Sequence, residues 1–307
     1  MTTSSATASH DLIDDHDQGL SHDLAMIERL KIGRRRALSW LGSAGGTALL
    51  AGCGGESGSS ASSTTISTTA TPTPSSTATP TPTSTSSSSS CTVPATETNG
   101  PYPADGTNTA PGLTSNALTY SGVTRSDIRS SFAGSSTTVA AGIVVDITLT
   151  LVDANNGCTP LVGYAVYVWH CDKDGKYSLY DLPNESYLRG VQVTDANGQV
   201  KFKTIFPGCY SGRYPHIHFE VFSSAANATG GRYARLISQF AMPATQCAQV
   251  YATSAYASSL TNYNRVTIAT DNVFSDNTTA QMTVMTLVMS GDVSAGYTAT
   301  STIGIAT

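Results

Sequence analysis

Pro207-Gly208-Cys209-Tyr210-Ser211-Gly212-Arg213-Tyr214-Pro215-His216-Ile217-His218-Phe219-Glu220-Val221-Phe222 is the stretch on which the reading of the chain turns. Its second half is rich in aromatic and β-branched residues and follows a Gly- and Pro-containing turn, so it reads as a strand. Side chains two apart on a strand share a face. His216 and His218 therefore point one way, and Ile217, Phe219 and Val221 point the other, into a core. Two convergent imidazoles beside a tyrosine suggest a metal site, and imidazole suits Zn, Cu, Fe or Ni. Of the six histidines, His10, His16 and His22 lie near the N-terminus, which leaves His170 as the one further imidazole in the body of the chain. Standing alone, an H-x-H pair is more simply one packed and one exposed ring, so its neighbours decide the matter.

Working outward, Ile143–Val152 alternates Val145, Ile147, Leu149 and Leu151, and Val162–Trp169 places Tyr164, Val166 and Val168 on one face. Gln199–Ile205 and His216–Phe222 are short runs bounded by glycine turns; Tyr233–Phe240, Gln281–Ser290 and a Thr-rich tail with sparse Ile follow. Asp153-Ala-Asn-Asn-Gly157, Asp172-Lys-Asp-Gly175 and Asp195-Ala-Asn-Gly198 read as turns. Short strands with regular turns and no long amphipathic helix predict an all-β fold, a single β-sandwich over residues 91–307.

The N-terminal third is different. Lys31, Arg34, Arg35 and Arg36 precede an apolar run from Ala37 to Ala51, too short and too glycine-rich for a membrane span. A basic region before a short apolar one is the pattern of an export signal, here over residues 1–52. The adjacent arginines resemble a twin-arginine signal. Leu50-Ala51-Gly52-Cys53 resembles a bacterial lipobox, which implies lipidation of Cys53. Residues 53–90 are almost wholly Ser, Thr, Ala, Pro and Gly, with Thr-Ala-Thr-Pro-Thr-Pro at 69–74 and again at 77–82. Such a tract has too little apolar surface to offset the entropy of ordering, so a flexible tether is expected, with a span of roughly 30–40 Å. The expectation is an exported domain held on a bacterial membrane by N-terminal lipid alone.

Five of the 16 basic and six of the 21 acidic residues lie in residues 1–53, so the remainder is mildly acidic. No basic patch interleaved with aromatics argues for nucleic acid as a partner. Beyond Cys53 the cysteines are Cys91, Cys158, Cys171, Cys209 and Cys247. Export permits disulfides, and the odd count leaves at least one thiol without a partner in the chain. Spacing does not give the pairing, and Cys209, beside the His-x-His strand, has thiolate ligation as an alternative to a disulfide.

Trp169-His-Cys-Asp-Lys-Asp-Gly-Lys-Tyr177, Leu188-Arg-Gly-Val-Gln-Val-Thr-Asp-Ala-Asn-Gly198, Phe202-Lys-Thr-Ile-Phe-Pro-Gly208 and the His-x-His strand together resemble the intradiol ring-cleavage dioxygenases, the protocatechuate and catechol dioxygenases and their exported relatives. The similarity runs from about Thr92 to Phe274. It implies a Greek-key, prealbumin-like sandwich and a non-haem Fe(III) held by two tyrosinates and two histidines. Those ligands fall on Tyr177, Tyr210, His216 and His218, with Tyr180 a close rival of Tyr177. It further implies Arg213 stabilising negative charge on the substrate, Gln239 orienting it, Tyr210 acting also as a base, and Pro101 and Tyr102 beside the substrate pocket. The implied partners are a catechol-type aromatic and O2, the product a muconate-type diacid. Two tyrosinates and a hydroxide would balance three metal charges and favour the ferric state.

The chain departs from the exported relatives at Cys209, where they usually carry Trp. A thiol there has to be shielded from iron and oxygen, and a Cys209–Cys247 bridge is the expected means. The helical dimerisation region of catechol dioxygenases has no counterpart, which moves the resemblance toward the protocatechuate-type core and the secreted group; the substrate and the oligomeric state, homo-oligomer included, stay open. Two rivals are a lipid-tethered sandwich that only binds, and a Cu or Zn enzyme that joins His170 to the His-x-His pair. His170 beside core-like Trp169 reads more simply as structural.

Overall fold

The computed structural model describes residues 91–307. The expected signal (1–52), Cys53 and the Ser/Thr/Pro tract (53–90) lie outside the described residues.

Nine strands form two sheets. β1 (Val144–Asp153), β2 (Thr159–Pro160), β5 (Gln199–Ile205), β8 (Val288–Asp292) and β9 (Gly296–Ile305) make the first. β1 is central there, antiparallel to β5 and parallel to β9. The second sheet runs β4 (Arg189–Val193), β3 (Ala165–Trp169), β6 (His216–Phe222), β7 (Leu236–Ala241). The fold is thus the all-β sandwich expected, and period-2 alternation is why. Val145, Ile147, Leu149 and Leu151 of β1 and Val200 and Phe202 of β5 meet Val166 and Val168 of β3 and Ile217, Phe219 and Val221 of β6 in one core. Phe219 and Phe240 stack at its centre, ring centroids 4.3 Å apart.

β3 and β6 are buried at every position, which a two-layer sandwich alone does not produce. The outer face of their sheet is covered by irregular chain. Ala104, Ala117, Leu118 and Val123 from before β1, and Tyr177, Leu179 and Tyr180 from the β3–β4 connection, pack on Ala165, Tyr167 and Trp169. The first of these segments is a strap. Glu97 N–H donates to Ile237 O (2.8 Å) beside β7, and the Pro103 carbonyl accepts from Tyr167 (2.9 Å) and Arg189 (2.9 Å).

Three expectations need correction. The disulfide is Cys91–Cys158, and Cys171, Cys209 and Cys247 are buried free thiols. The expected Cys209–Cys247 bridge is not made; Cys209 Sγ contacts the Arg213 carbonyl (3.6 Å) and Cys247 Sγ the Met242 carbonyl (3.8 Å). The bridge that does form ties the start of the strap to the β1–β2 turn, alongside β9, where Gly304 N–H donates to Thr92 O (3.1 Å). Second, Gln281–Ser290 is not one strand. Its first half lies in a helix, Thr279–Met285, because Thr278 and Gln281 form a reciprocal capping box; β8 starts only at Val288. Third, Tyr233 closes a short 3₁₀ turn (Gly231–Tyr233), so β7 begins at Leu236. Two further helices, Ala244–Tyr251 and Ala257–Tyr263, pack beside the core. No helix among the described residues is long and apolar enough to cross a membrane.

The disulfide spans 67 residues and constrains the unfolded chain accordingly. Cys158→Ser is expected to lower the unfolding free energy by about 2–4 kcal/mol in urea titration. Peptide mapping of the unreduced protein should link Cys91 to Cys158, with the buried thiols of Cys171, Cys209 and Cys247 alkylated only after denaturation.

Candidate metal centre

The two histidines of β6 share its outer face, as period-2 geometry requires. Within the sheet His218 stands between Trp169 of β3 and Gln239 of β7. The Trp169 indole stacks on the His218 ring at 4.8 Å and 5°, which fixes the imidazole plane. His216 donates from Nδ1 to the Tyr214 carbonyl (2.6 Å), so its Nε2 keeps a lone pair. That Nε2 lies 3.1 Å from His218 Nε2, 3.2 Å from Tyr210 Oη and 3.5 Å from Tyr177 Oη. The four expected donors are therefore one group.

Each tyrosine arrives by a constrained route. Tyr177 follows the Asp172–Gly175 turn, its N–H held by Asp181 (2.8 Å) and its ring against Tyr102 at 4.8 Å. A Cβ on Gly208 would stand 2.6 Å from the Lys173 carbonyl, so only glycine lets the chain before Tyr210 press against that turn. Tyr180 is turned elsewhere: its hydroxyl accepts from Ala104 N–H (2.9 Å) and donates to Asn108 (2.7 Å). The strap closes the group from outside. Gly100, at φ +72°, lies so close that a Cβ would be 3.1 Å from His218 Cε1. Pro101 accepts from Asn108 (2.6 Å), and Tyr102 packs between Tyr177 and Tyr180.

Beside the donors runs a charged network. Arg213 donates from Nε to Asp271 Oδ2 (2.9 Å) and from Nη2 to Gln239 Oε1 (2.8 Å); Gln239 Nε2 donates to the Thr98 carbonyl (2.9 Å). Asp271 also accepts from the backbone N–H groups of Tyr214 (2.7 Å), Val273 (2.8 Å) and Phe274 (3.1 Å). Burial pushes the Asp271 carboxyl upward, but Arg213 and these bonds outweigh it and hold the group below the usual carboxylate range. Asp271 and Thr98 carry no sequence signal; only the fold brings Asp271 to Arg213, 58 residues away.

Burial holds both tyrosines well above the ordinary phenol range, with mutual repulsion adding for Tyr177 and Arg213 partly opposing for Tyr210. Burial likewise drives His216 down to about 3 and His218 well below the ordinary value, with Arg213 contributing to both. The site thus presents neutral imidazoles, ready as ligands, and phenols that ionise only beside a cation. The spacing fits a shared ion: four donors about 2.0 Å from one centre in tetrahedral array are about 3.3 Å apart. Among the described residues no three His, Cys, Asp or Glu side chains cluster to hold a metal, so any centre here depends on the phenols. His170 is not available to it; Nδ1 donates to the Cys171 carbonyl (2.7 Å) and Nε2 accepts from Thr204 (2.7 Å). The Cys209 thiol, pushed up to about 12 by burial, faces backbone carbonyls and not the imidazoles.

Comparison with known proteins places this geometry. Residues 129–247 match the family described as "Dioxygenase". The matched segment contains Tyr177, Tyr210, His216 and His218, and it is similar to the ring-cleavage dioxygenases. A chlorocatechol 1,2-dioxygenase of Rhodococcus opacus is 39% identical over 54 residues, 17% of this chain, and the match spans about a fifth (21%) of that relative's length. Among solved structures, an intradiol ring-cleavage dioxygenase from Tetranychus urticae superposes with a TM-score of 0.53 at 24% identity, over 70% of this chain and 95% of that one. The dioxygenase domain of a carbohydrate-binding fusion from Streptomyces sp. SirexAA-E is 20% identical, over 68% of this chain and 95% of that one, with a TM-score of 0.39. The sandwich fold is thus shared with the Tetranychus urticae protein.

Burial holds His170 neutral down to about pH 4, whereas the unfolded chain protonates it near 6.5. The unfolded state binds more protons between those values, so stability falls as pH is lowered through that window. The contribution lost from His170 by pH 4.5 is about 2–3 kcal/mol. Urea unfolding at pH 7 and 4.5 should show His170→Asn with a pH dependence shallower by that amount.

Proposed function

We propose that the chain is a non-haem Fe(III) dioxygenase that opens a catechol-type ring between its two hydroxylated carbons, with O2 as co-substrate and a muconate-type diacid as product. The observation that carries the reading is the convergence of Tyr177 Oη, Tyr210 Oη and His218 Nε2 on His216 Nε2 within 3.1–3.5 Å. These four side chains would hold the ion. Bound there, ferric iron would supply Lewis acidity toward the two catechol oxygens.

The protein's own contribution is positional and electrostatic. Tyr210 is the less buried of the two phenols, and once ionised beside the cation its Oη would take a proton from an incoming catechol hydroxyl. Arg213 uses Nε and Nη2 on Asp271 and Gln239, which leaves Nη1 to face negative charge developing on the ring. Gln239, engaged at both ends of its amide, acts first as a brace for that guanidinium. Tyr102, Pro101 and Gly100 wall the site and limit water. The Cys91–Cys158 disulfide supports the export suggested by the leader; lipid attachment at Cys53 to a bacterial membrane rests on the lipobox-like Leu50-Ala51-Gly52-Cys53 alone.

The isolated protein should contain iron and show a visible tyrosinate-to-metal band that shifts on adding catechol, with O2 consumed in step. Tyr177→Phe is expected to lose the band or to drop activity roughly 10²-fold or more, while Tyr180→Phe keeps the band. A folded, colourless protein that takes up no iron would sink the reading.

A further inference from the structure

Resting on that reading, we infer that the ring of the substrate carries no negatively charged substituent, and that Asp271 sets this preference by neutralising the cation that faces the site. Arg213 and Asp271 are 5% and 0% exposed and form a two-point pair, Nε to Oδ2 at 2.9 Å and Nη2 to Oδ1 at 3.4 Å. The carboxylate cannot swing away, because three backbone N–H groups hold it as well.

Neither Arg189 nor Lys173 takes the place of Arg213. Arg189 is fully buried, and its donors are taken by Ser178 Oγ (3.0 Å), the Ser178 carbonyl (2.8 Å), the Pro103 carbonyl (2.9 Å) and the Tyr167 hydroxyl (3.3 Å). Lys173 is at the surface, paired with Asp174 at 2.8 Å. The remaining wall is aromatic, Tyr102 on Tyr177. A catecholate's own two charges would be met by the ion that the four donors would hold. A further ring carboxylate would enter beside an Arg213 already matched by Asp271, and a buried charge without a partner is strongly disfavoured. An uncharged substituent of the same size carries no such cost.

The test compares 3,4-dihydroxybenzamide with 3,4-dihydroxybenzoate, which are close in shape and differ in charge. Full-length protein is first checked for iron and its visible band. Binding is then read from the shift of that band, and turnover from O2 uptake. The amide is expected to be favoured at least tenfold in both Kd and kcat/KM, and Asp271→Asn should close that gap by improving the benzoate. Equal or better binding and cleavage of the benzoate by the unmodified protein overturns the inference while leaving the dioxygenase reading intact. This comparison needs no variant, so a poorly folding Asp271→Asn does not remove the test. Absence of the band before any substrate is added overturns the parent reading, and the inference with it.

Discussion

A strand buried on both faces governs this molecule. One face of β6 presents Ile217, Phe219 and Val221 to the inter-sheet core, which is ordinary sandwich packing. The other presents His216 and His218, both 2% exposed, to a second covered layer. Burying two imidazoles nose to nose is unfavourable unless their nitrogens meet complementary groups. His216 meets one at each end: the Tyr214 carbonyl at Nδ1, and the phenols of Tyr177 and Tyr210 at Nε2. Four neutral donors facing one point are a poor hydrogen-bonding arrangement, and a good arrangement around a cation that can ionise the phenols.

The second layer exists to keep that face closed. It has little regular structure, so it is fastened by side chains that reach buried backbone. Arg189 and Tyr167 clamp the Pro103 carbonyl, Gln239 holds that of Thr98, and the Tyr180 hydroxyl caps the Ala104 amide. Through Arg213 and Asp271 the same fastening reaches the segment after the helix Ala257–Tyr263, since Asp271 accepts from the backbone N–H groups of Val273 and Phe274. The walls and the charge balance of the site therefore depend on segments far apart in sequence that meet only after the sandwich has formed.

This explains what was legible beforehand. β5 and β6 could be read residue for residue because alternation and glycine turns are local signals, and Tyr210, Arg213, His216 and His218 fall in one such stretch. Tyr177 was legible through the Gly-Lys-Tyr motif, although Tyr180 is equally buried and only its capture by Asn108 and Ala104 separates the two. Asp271 was not legible, because a buried acid looks like any other until its arginine is found. The disulfide was not legible either: Cys91 and Cys158 meet because the strap begins beside β9, next to Gly304, which is a property of topology and not of spacing. The helix Thr279–Met285 read as strand because Met-Thr-Val-Met suits both, and its capping box was the signal that should have decided it.

The position of that disulfide also bears on how the site keeps its shape. The residues that press on the donors, Thr98 to Tyr102, follow Cys91 by only a short length of chain. From Cys91 onward the strap is fixed by the Cys91–Cys158 bond and the Thr92–Gly304 hydrogen bond. The Glu97–Ile237 bond and the contact of Asn277 with Glu97 hold it again before Gly100. A site whose outer wall is a strap of irregular chain needs that wall fixed upstream, since a shift of even 1 Å at Gly100 or Tyr102 would alter the packing on His218 and Tyr177. The covalent bond is placed where the strap begins, and so the wall of the site is anchored to the sandwich and not to whatever precedes it.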